Sequence, residues 1–263
     1  MSTAPRAVIL AAGLGSRLRP ITDDRPKCLA PLAGKTLLDR QLAALRAAGI
    51  DDITAVVGYC QQAIVQPGLH KVENPRYDST NMVASLFCAE HLLDGKSDLV
   101  MVYGDIVFER RVLETVLATP GDVTIAADRQ WRRYWAERMD NPLADAETFK
   151  LAADGRVKEL GKKPQSYDEI EAQYTGLVRF SAAAHARIRA SFHGLDRAAR
   201  YDGRDVDNMF MTSFLQILID QGYDVRPAFI ENGWLEVDTV TDLELYEGWH
   251  RAGTLGRFYD ADR

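Results

Sequence analysis

The sequence has few cysteines, no long apolar run and no excess of positive charge. Its three cysteines, Cys28, Cys60 and Cys88, are widely spaced and odd in number, which fits neither a disulfide framework nor a cysteine-based metal site. No apolar run reaches the roughly 18 residues that a membrane-spanning helix needs. The formal net charge of -6 argues against nucleic-acid binding through a broad positively charged surface. We therefore expect a protein of the reducing cytoplasm that binds neither nucleic acid nor a membrane.

Histidine is also scarce, with five residues in a chain of 263, and none of them lies in the motifs described below. Chemistry that relies on a histidine base is therefore not indicated. The remaining composition, 46% hydrophobic and 27% charged, is typical of a globular protein. A chain of this length can bury a sizeable core.

The first half of the chain alternates between short apolar runs and segments of helical periodicity. Residues 7–12 and 99–103 are typical of buried strands, and residues 37–49 and 81–93 have the apolar spacing of helices. This alternation predicts an α/β sheet. Ligands of such sheets bind outside the carboxyl ends of the strands, so the residues that follow each strand are the first candidates for a site.

The middle of the chain has a different pattern. Residues 128–145 are polar and rich in aromatic residues and arginine, which predicts an irregular loop or lid. Residues 148–152, 156–160 and 173–180 are typical of strands. We expect these three strands to be antiparallel and to form a wall beside the site.

A glycine-rich loop follows the first predicted strand. Gly13 and Gly15 allow the backbone to turn sharply and to come close to a ligand, and their N–H groups can line a concave nest for phosphate oxygens. Arg17 and Lys27 add positive charge to the same stretch. The loop therefore predicts a phosphate-binding site, although a lone G-x-G pattern is equally compatible with a plain tight turn.

Two familiar phosphate-binding patterns fail on spacing. A dinucleotide fingerprint needs a third glycine where Leu18 stands, and a Walker loop needs a glycine where Leu29 stands. The glycine loop therefore matches neither of these two classes, and the short pattern alone leaves a phosphate site and a tight turn both open.

Two aspartates lie where predicted strands give way to loops. Asp105 follows the apolar run of residues 99–103, and Asp238 follows a Trp-Leu-Glu-Val segment. Magnesium takes oxygen ligands, usually one or two carboxylates together with substrate phosphates. We expect both aspartates to face one crevice. The alternative for Asp238 is a role at a helix N-terminus, where aspartate is favoured, but Asp242 fits that role better.

Together these motifs resemble the nucleotidyltransferase family that activates sugar phosphates and phosphocholine-like head groups. The resemblance rests on Gly13, Gly15, Arg17, Pro20, Thr22, Pro26, Lys27, Gly104, Asp105 and the Trp-Leu-Glu-Val-Asp run that ends at Asp238. It implies a Rossmann-like (GT-A-like) α/β fold with a mixed, mainly parallel sheet flanked by helices and a small antiparallel lid subdomain. We expect a single domain over 1–263, with a nucleotide-binding core at 1–127, a lid and acceptor-binding insertion at 128–180, and a C-terminal part at 181–263 that completes the sheet and the metal site.

The resemblance implies an Mg²⁺-dependent enzyme that transfers a nucleoside monophosphate from an NTP to a small phosphorylated acceptor and releases pyrophosphate. Lys27 and Arg17 are then catalytic, and Asp105 and Asp238 ligate the Mg²⁺. The expected nucleotide-binding residues are Leu10, Ala11, Ala12, Gly13, Gly15, Asn81, Ser85 and Gly104. An acceptor phosphate is already anionic near neutral pH, since its second pKa is about 6, so no general base is required.

Residues 74–86 resemble the segment that lies beside the base in phosphocholine and phosphonate cytidylyltransferases. Asn81 and Ser85 match that segment, whereas Met82 stands where a second asparagine is common. The match favours CTP over UTP and other NTPs. The structural alternative is that Asn81 simply begins a helix.

The acceptor is expected to meet residues of the middle segment. Trp131, Tyr134 and Trp135 could surround a quaternary ammonium by cation–π attraction or could form a hydrophobic clasp. The further candidates are Arg129, Lys162, Glu171 and Tyr174. Phosphocholine, 2-aminoethylphosphonate and a phosphorylated amino acid all remain open as acceptors.

Two other functions compete with a cytidylyltransferase. One is a sugar-1-phosphate nucleotidyltransferase, against which residues 81–86 and the modest length argue. The other is a non-catalytic nucleotide-binding subunit, which would have no need to retain Arg17, Lys27, Asp105 and Asp238 together. The sequence leaves the oligomeric state open, with a homodimer among the compatible states.

Overall fold

The structure is a computed structural model that describes residues 4–261. Its strands in chain order are β1 Arg6–Ala11, β2 Pro31–Leu32, β3 Lys35–Thr36, β4 Ile53–Val57, β5 Leu69–Glu73, β6 Leu99–Tyr103, β7 Ile106–Phe108, β8 Val123–Asp128, β9 Phe149–Leu151, β10 Val157–Leu160, β11 Gln173–Phe180, β12 Val225–Ile230 and β13 Trp234–Glu236. Its α-helices are α1 Leu37–Ala47, α2 Met82–Cys88, α3 Arg110–Ala118, α4 Trp131–Arg138, α5 His185–His193, α6 Met211–Asp220 and α7 Val240–Arg251. Within residues 4–261 none of these helices is long and apolar enough to cross a membrane.

Seven strands form the central sheet, in the spatial order β12-β8-β11-β6-β1-β4-β5. Neighbouring strands run parallel, except that β11 runs antiparallel to both β6 and β8. The sheet is therefore mixed and mainly parallel, as predicted. The C-terminal part of the chain contributes the edge strand β12.

The sheet is buried on both faces, which explains the uninterrupted apolar character of its first strand. In β1, Ile9 packs into a hydrophobic cluster with residues of α1, α3 and α7, while the next residue, Leu10, packs into a second cluster with residues of α2, α5 and α6. Successive side chains of a strand point to opposite faces, so a strand covered on both sides must be apolar throughout.

The two helices predicted in the first half of the chain are present, but their boundaries differ from the predicted ones. Helix α1 begins after Thr36, whose side chain accepts a hydrogen bond from the backbone N–H of Asp39 at 3.0 Å, and it ends before Gly49, which has a φ of 82°. The helix predicted for residues 81–93 is shorter, because α2 ends at Cys88 and a 3-10 turn at Glu90–Leu92 follows it.

The prediction of an irregular loop over residues 128–145 is wrong, because this segment contains α4. The helix places Trp131, Tyr134 and Trp135 on one face, where all three are buried. That spacing of three and four residues is helical, but the abundance of arginine obscured it.

The prediction of a three-stranded antiparallel wall is also wrong in one strand. Strands β9 and β10 form a two-stranded hairpin, whereas β11 lies inside the central sheet, where Val178 pairs with Met101 and with Ile125. The side chains of Leu177 and Val178 are fully buried, which is typical of a central strand covered on both faces. The proposed division into core, lid and C-terminal part stays a prediction.

Candidate active site

A cleft of about 270 Å³ opens where β1 and β6 end at their carboxyl ends. Of the residues expected from the sequence to bind the nucleotide or the metal, those that line it are Leu10, Ala11, Gly13, Gly15, Arg17, Lys27, Asn81, Gly104, Asp105 and Asp238. The glycine loop, the aspartate after β6 and the C-terminal aspartate therefore meet in one place.

The glycine loop is shaped by close packing around Gly15. This residue has a φ of 60°, and a side chain on it would place its Cβ 3.0 Å from the Cβ of Lys27. The Thr22 hydroxyl donates a hydrogen bond of 2.8 Å to the Gly15 carbonyl. Glycine is needed here for both conformation and space, and the result is that Lys27 is held directly against the loop.

Gly104 joins the ends of β1 and β6 in a similar way. Its N–H donates a 3.0 Å hydrogen bond to the Leu10 carbonyl, and an added Cβ would lie 2.6 Å from that carbonyl oxygen. No real Cβ tolerates such a contact, so only glycine allows the chain to pass this close to β1. Asp105, the next residue, is thereby directed to the cleft.

Lys27 bridges the two aspartates. Its ammonium donates hydrogen bonds of 2.8 Å to Asp105 Oδ2 and 2.9 Å to Asp238 Oδ1. Burial alone would lower the pKa of Lys27, but the two carboxylates outweigh it and raise that pKa above its usual value. Arg17, which is 70% exposed, forms an ion pair with the other oxygen of Asp238. Two cations and two carboxylates thus alternate along the cleft.

An antiparallel ribbon explains why the two aspartates meet. Strand β13 pairs with β7 so that Glu236 lies opposite Ile106, and the N–H of Val237 donates a 2.9 Å hydrogen bond to the Asp105 carbonyl. Asp105 immediately precedes β7 and Asp238 closely follows β13. They are therefore neighbours at the same end of the ribbon.

The two aspartates fit the requirements of a magnesium ion. Asp105 Oδ1 is buried and has no hydrogen-bond partner among residues 4–261, so this oxygen remains a free acceptor while Oδ2 binds Lys27. The same described residues contain no group of three or more histidine, cysteine, aspartate or glutamate side chains suited to hold a metal. An ion here would need further oxygen ligands from a phosphate substrate, as is usual for Mg²⁺.

Asp242 has the structural role predicted for it. It forms a capping box with Thr239 at the start of α7, and it also accepts a 3.0 Å hydrogen bond from the backbone N–H of Asp238. The side chain of Asp238 does not cap the helix, so its carboxylate is available to Lys27 and Arg17.

Two of the expected nucleotide-binding residues lie outside the cleft. Ser85 is buried and accepts a 3.0 Å hydrogen bond from the side chain of Asn74. Ala12 is buried beneath the glycine loop, where its carbonyl accepts a hydrogen bond from Tyr59. Asn81 caps α2, since its side chain accepts a 2.8 Å hydrogen bond from the backbone N–H of Met82, and it also lines the cleft, so its expected contact with the base stays a prediction.

A second cleft of about 220 Å³ adjoins the first and shares Arg17, Met82, Tyr103 and Asp238 with it. Its walls are acidic, because Asp145, Glu147 and Glu236 all line it. The two clefts together can hold a nucleotide on one side and a second substrate on the other, with Arg17 and Asp238 at the junction.

The two glutamates of the second cleft, Glu147 and Glu236, have raised pKa values. Burial, aided by the charges of Asp145 and Asp202, raises the pKa of Glu147 to about 7. Burial also raises the pKa of Glu236 to about 7, with the charges of Asp105 and Asp238 contributing in the same direction. A cation placed in this cleft would favour the ionised form of both groups.

Of the aromatic residues expected at the acceptor site, only two line the second cleft. These are Trp135 and Tyr174, and the Trp135 indole N–H donates a 3.0 Å hydrogen bond to Asp145. Trp131 and Tyr134 pack into the core instead. For these two residues the hydrophobic clasp, and not an ammonium cage, is the correct interpretation.

The three remaining acceptor candidates are engaged elsewhere. The guanidinium of Arg129 lies over the ring of Phe229, 3.6 Å from its centroid. Lys162 forms an ion pair with Asp202. Glu171 accepts a hydrogen bond of 2.7 Å from the backbone N–H of Leu151. None of the three lines either cleft.

No sequence pattern indicated the acidic character of the second cleft. Glu236 could have been predicted as a site residue, because it belongs to the Trp-Leu-Glu-Val-Asp run that ends at Asp238. Asp145 and Glu147 come from an irregular stretch between α4 and β9, where no periodicity or motif marks a residue as part of a site. Gln173, at the start of β11, also lines this cleft.

Comparison with known proteins agrees with this geometry. CTP:phosphoglutamine cytidylyltransferase of Campylobacter jejuni is 40% identical over 249 residues, which are 91% of this chain and 98% of the relative. CMP-5'-(3-aminopropyl)phosphonate synthase of Streptomyces rubellomurinus is 38% identical over 135 residues, 48% of this chain and 21% of that longer protein.

The fold has solved counterparts. The structure of CTP:phosphocholine cytidylyltransferase from Streptococcus pneumoniae superposes with a TM-score of 0.68 at 21% identity, covering 94% of this chain and 99% of that one. The sequence model of the MobA-like NTP transferase domain family matches residues 7–198. This range includes the glycine loop, Lys27 and Asp105. The predicted nucleotidyltransferase resemblance is confirmed, and the chain belongs to the MobA-like NTP transferase family.

Proposed function

We propose that this protein is an Mg²⁺-dependent cytidylyltransferase that transfers CMP from CTP to a small phosphorylated or phosphonate acceptor and releases pyrophosphate. The observation that supports it best is the convergence of Lys27, Asp105 and Asp238 beside the glycine loop. A pair of carboxylates, a glycine loop and a second cleft meet there, and these would serve as the cation site, the phosphate-binding loop and the acceptor site that such a transfer needs. The 40% identity with a CTP-dependent relative over nearly the whole chain supports the choice of nucleotide.

The side chains of the cleft would act by position and charge. Gly13 and Gly15 would present backbone N–H groups to the triphosphate, while Lys27 and Arg17 would neutralise charge that develops as the acceptor oxygen approaches the α-phosphorus. The acceptor oxygen needs no base, because a phosphate is ionised near neutral pH. We assign no proton transfer to any side chain of the cleft.

Asp105 and Asp238 would hold the Mg²⁺. When bound, the ion supplies Lewis-acid stabilisation of the phosphate oxygens and orients the triphosphate. The free Oδ1 of Asp105 supports this role.

The acidic second cleft supports an acceptor with a positively charged end. Asp145 and Glu147 line that cleft but not the nucleotide cleft, whereas Arg17 and Asp238 line both. The phosphate of the acceptor would lie at the junction and its ammonium group near the carboxylates. The relatives are named for phosphoglutamine and 3-aminopropylphosphonate, and both of these compounds contain an amino group.

An acceptor screen tests the proposal. Purified protein is incubated with CTP and Mg²⁺ and with phosphocholine, 2-aminoethylphosphonate, phosphoglutamine or glucose 1-phosphate, and pyrophosphate is measured. We expect release with at least one amine-containing acceptor, more slowly with UTP, and none with EDTA. Release only with the hexose phosphate would overturn the acceptor assignment. An Asp105→Asn variant with full activity would overturn the metal site, and Glu171→Gln serves as the matched control outside both clefts.

A further inference from the structure

Arg138, the last residue of α4, contacts acidic groups on both sides of Asp238. Its guanidinium is only 4% exposed. It donates hydrogen bonds of 3.0 and 3.2 Å to the two oxygens of Asp242 and one of 3.2 Å to Glu236. A buried guanidinium that engages both oxygens of a carboxylate fixes the plane and position of that carboxylate.

Asp242 passes this constraint to the segment that contains Asp238. One of its oxygens accepts hydrogen bonds from the backbone N–H groups of Asp238, at 3.0 Å, and Thr239, at 2.9 Å. The backbone of Asp238 is therefore held in place by the Asp242 carboxylate, and Arg138 orients that carboxylate.

The same helix also holds the other end of the segment. The backbone N–H of Glu236 donates a 3.0 Å hydrogen bond to the Tyr134 hydroxyl, and the Tyr246 hydroxyl donates a 2.8 Å hydrogen bond to the Glu236 carbonyl. Residues 236–238 are thus held between α4 and α7. Arg138 is the cation of this arrangement, and it touches neither cleft.

We propose that Arg138 is a positioning residue that sets the Asp238 carboxylate for the cation shared with Asp105, through its paired hydrogen bonds to Asp242. This inference rests on the proposed function, because it assigns a role toward the same Mg²⁺ site. Lysine cannot replace arginine here, because an ammonium is a point charge and lacks the planar fork that matches both carboxylate oxygens. Groups that orient metal ligands in this way typically change metal affinity or activity by about 10- to 100-fold when they are removed.

The test compares Arg138→Lys with Arg133→Lys. Arg133 lies in the same helix and is also anchored to protein oxygens, at Asn232 and at the Arg257 carbonyl, but it has no hydrogen bond to the Asp238 segment. Binding of Mn²⁺ is measured by electron paramagnetic resonance in the presence of CTP and without acceptor, beside the melting temperature of each variant. We expect Arg138→Lys to weaken Mn²⁺ binding about tenfold or more and to lower kcat, and Arg133→Lys to match the wild type in both.

Each outcome decides the question. Failure of the wild type to bind Mn²⁺ with CTP would overturn the proposed function, and this inference with it. Binding by the wild type and equal binding by Arg138→Lys would overturn the positioning role alone, as would equal losses in the Arg133→Lys control. If Arg138→Lys does not fold, Asp242→Asn decides, because it keeps an oxygen for the helix cap but removes the charge that Arg138 engages. Unchanged Mn²⁺ binding in that variant would also reject the role.

Discussion

Lys27 and Asp238 are 211 positions apart in the chain, and the Lys27 ammonium donates a 2.9 Å hydrogen bond to Asp238 Oδ1. The same ammonium donates a 2.8 Å hydrogen bond to Asp105. One ammonium therefore bridges two carboxylates of the cleft, and Arg17 supplies a second positive charge to Asp238. Removing either side of this arrangement leaves uncompensated charge in a partly buried site, which costs several times more than an exposed ion pair contributes.

Lys27→Met is expected to reduce turnover by about 100-fold or more, because it removes charge stabilisation at the reacting phosphate. It also leaves Asp105 and Asp238 facing each other without their ammonium. Added Mg²⁺ should therefore raise the melting temperature of this variant more than that of the wild type, because the ion replaces the missing charge. Pyrophosphate release and thermal unfolding with and without Mg²⁺ measure both effects. Lys35→Met, at an exposed position, is the control, and an Mg²⁺ response no larger than that of the wild type would contradict the prediction.

Gly104→Ala is expected to lower the free energy of unfolding by about 1–3 kcal/mol, the usual range for a group forced into a packed region. The new Cβ would lie 2.6 Å from the Leu10 carbonyl oxygen, so the ends of β1 and β6 must separate. Gly13→Ala is the matched control in the same cleft, since nothing lies within 4 Å of its added Cβ. Urea unfolding gives the midpoint denaturant concentration of each variant. Equal midpoints would show that the close approach of Gly104 to Leu10 does not exclude a side chain at position 104.

The raised pKa of Glu147 predicts a specific pH dependence of stability. Its pKa rises from 4.5 to about 7 on folding, chiefly through burial, so the folded state binds more protons than the unfolded state between these values. The free energy of unfolding should therefore fall as pH rises from about 4.5 to about 7 through this group. Glu147→Gln removes this contribution, and urea unfolding at several pH values measures the difference. If the free energy of unfolding depends on pH in the same way in Glu147→Gln and in the wild type, the pKa of Glu147 is not raised.

The same group should control the affinity for a cationic acceptor. Only the ionised carboxylate attracts an ammonium, so the KM for that acceptor should fall as pH rises through about 7 in the wild type. Glu147→Gln should raise KM and flatten this dependence, with a smaller effect on the KM for CTP. Glu171→Gln, outside both clefts, should behave as the wild type does. The acceptor's own phosphate titrates near pH 6, and its effect cancels when the two proteins are compared.

Lys162→Met is expected to leave the KM for the acceptor within about twofold of the wild-type value. Its ammonium is paired with Asp202 and does not line either cleft. That ion pair is partly exposed, so its loss should change the free energy of unfolding by about 1 kcal/mol or less. Steady-state kinetics and urea unfolding measure the two quantities. A large rise in KM for the acceptor alone would mean that Lys162 leaves Asp202 to bind the acceptor phosphate.

Local chemistry was enough to locate the nucleotide side of the site from the sequence. Gly15 has a positive φ, and Lys27 follows it within one short segment, so a single stretch of sequence contains both residues. Asp105 could be placed because parallel strands present their carboxyl ends at one edge of a sheet. The α/β class followed from the alternation of apolar runs and helical periodicity, which depends only on near neighbours.

The acceptor side depended on contacts that no local pattern records. Asp145 and Glu147 reach the second cleft from an irregular stretch, Ser85 turns into the core, and Arg138 meets Asp242 across 104 positions of sequence. The approach of Asp238 to Asp105 requires the pairing of β13 with β7. The sequence by itself determined the fold class and the sharp turn of the glycine loop, because these arise from short-range periodicity and backbone conformation. Only the tertiary structure decided which carboxylates line the second cleft and how Asp105 and Asp238 come to share the Lys27 ammonium, because long-range strand pairing and burial are set by the whole chain.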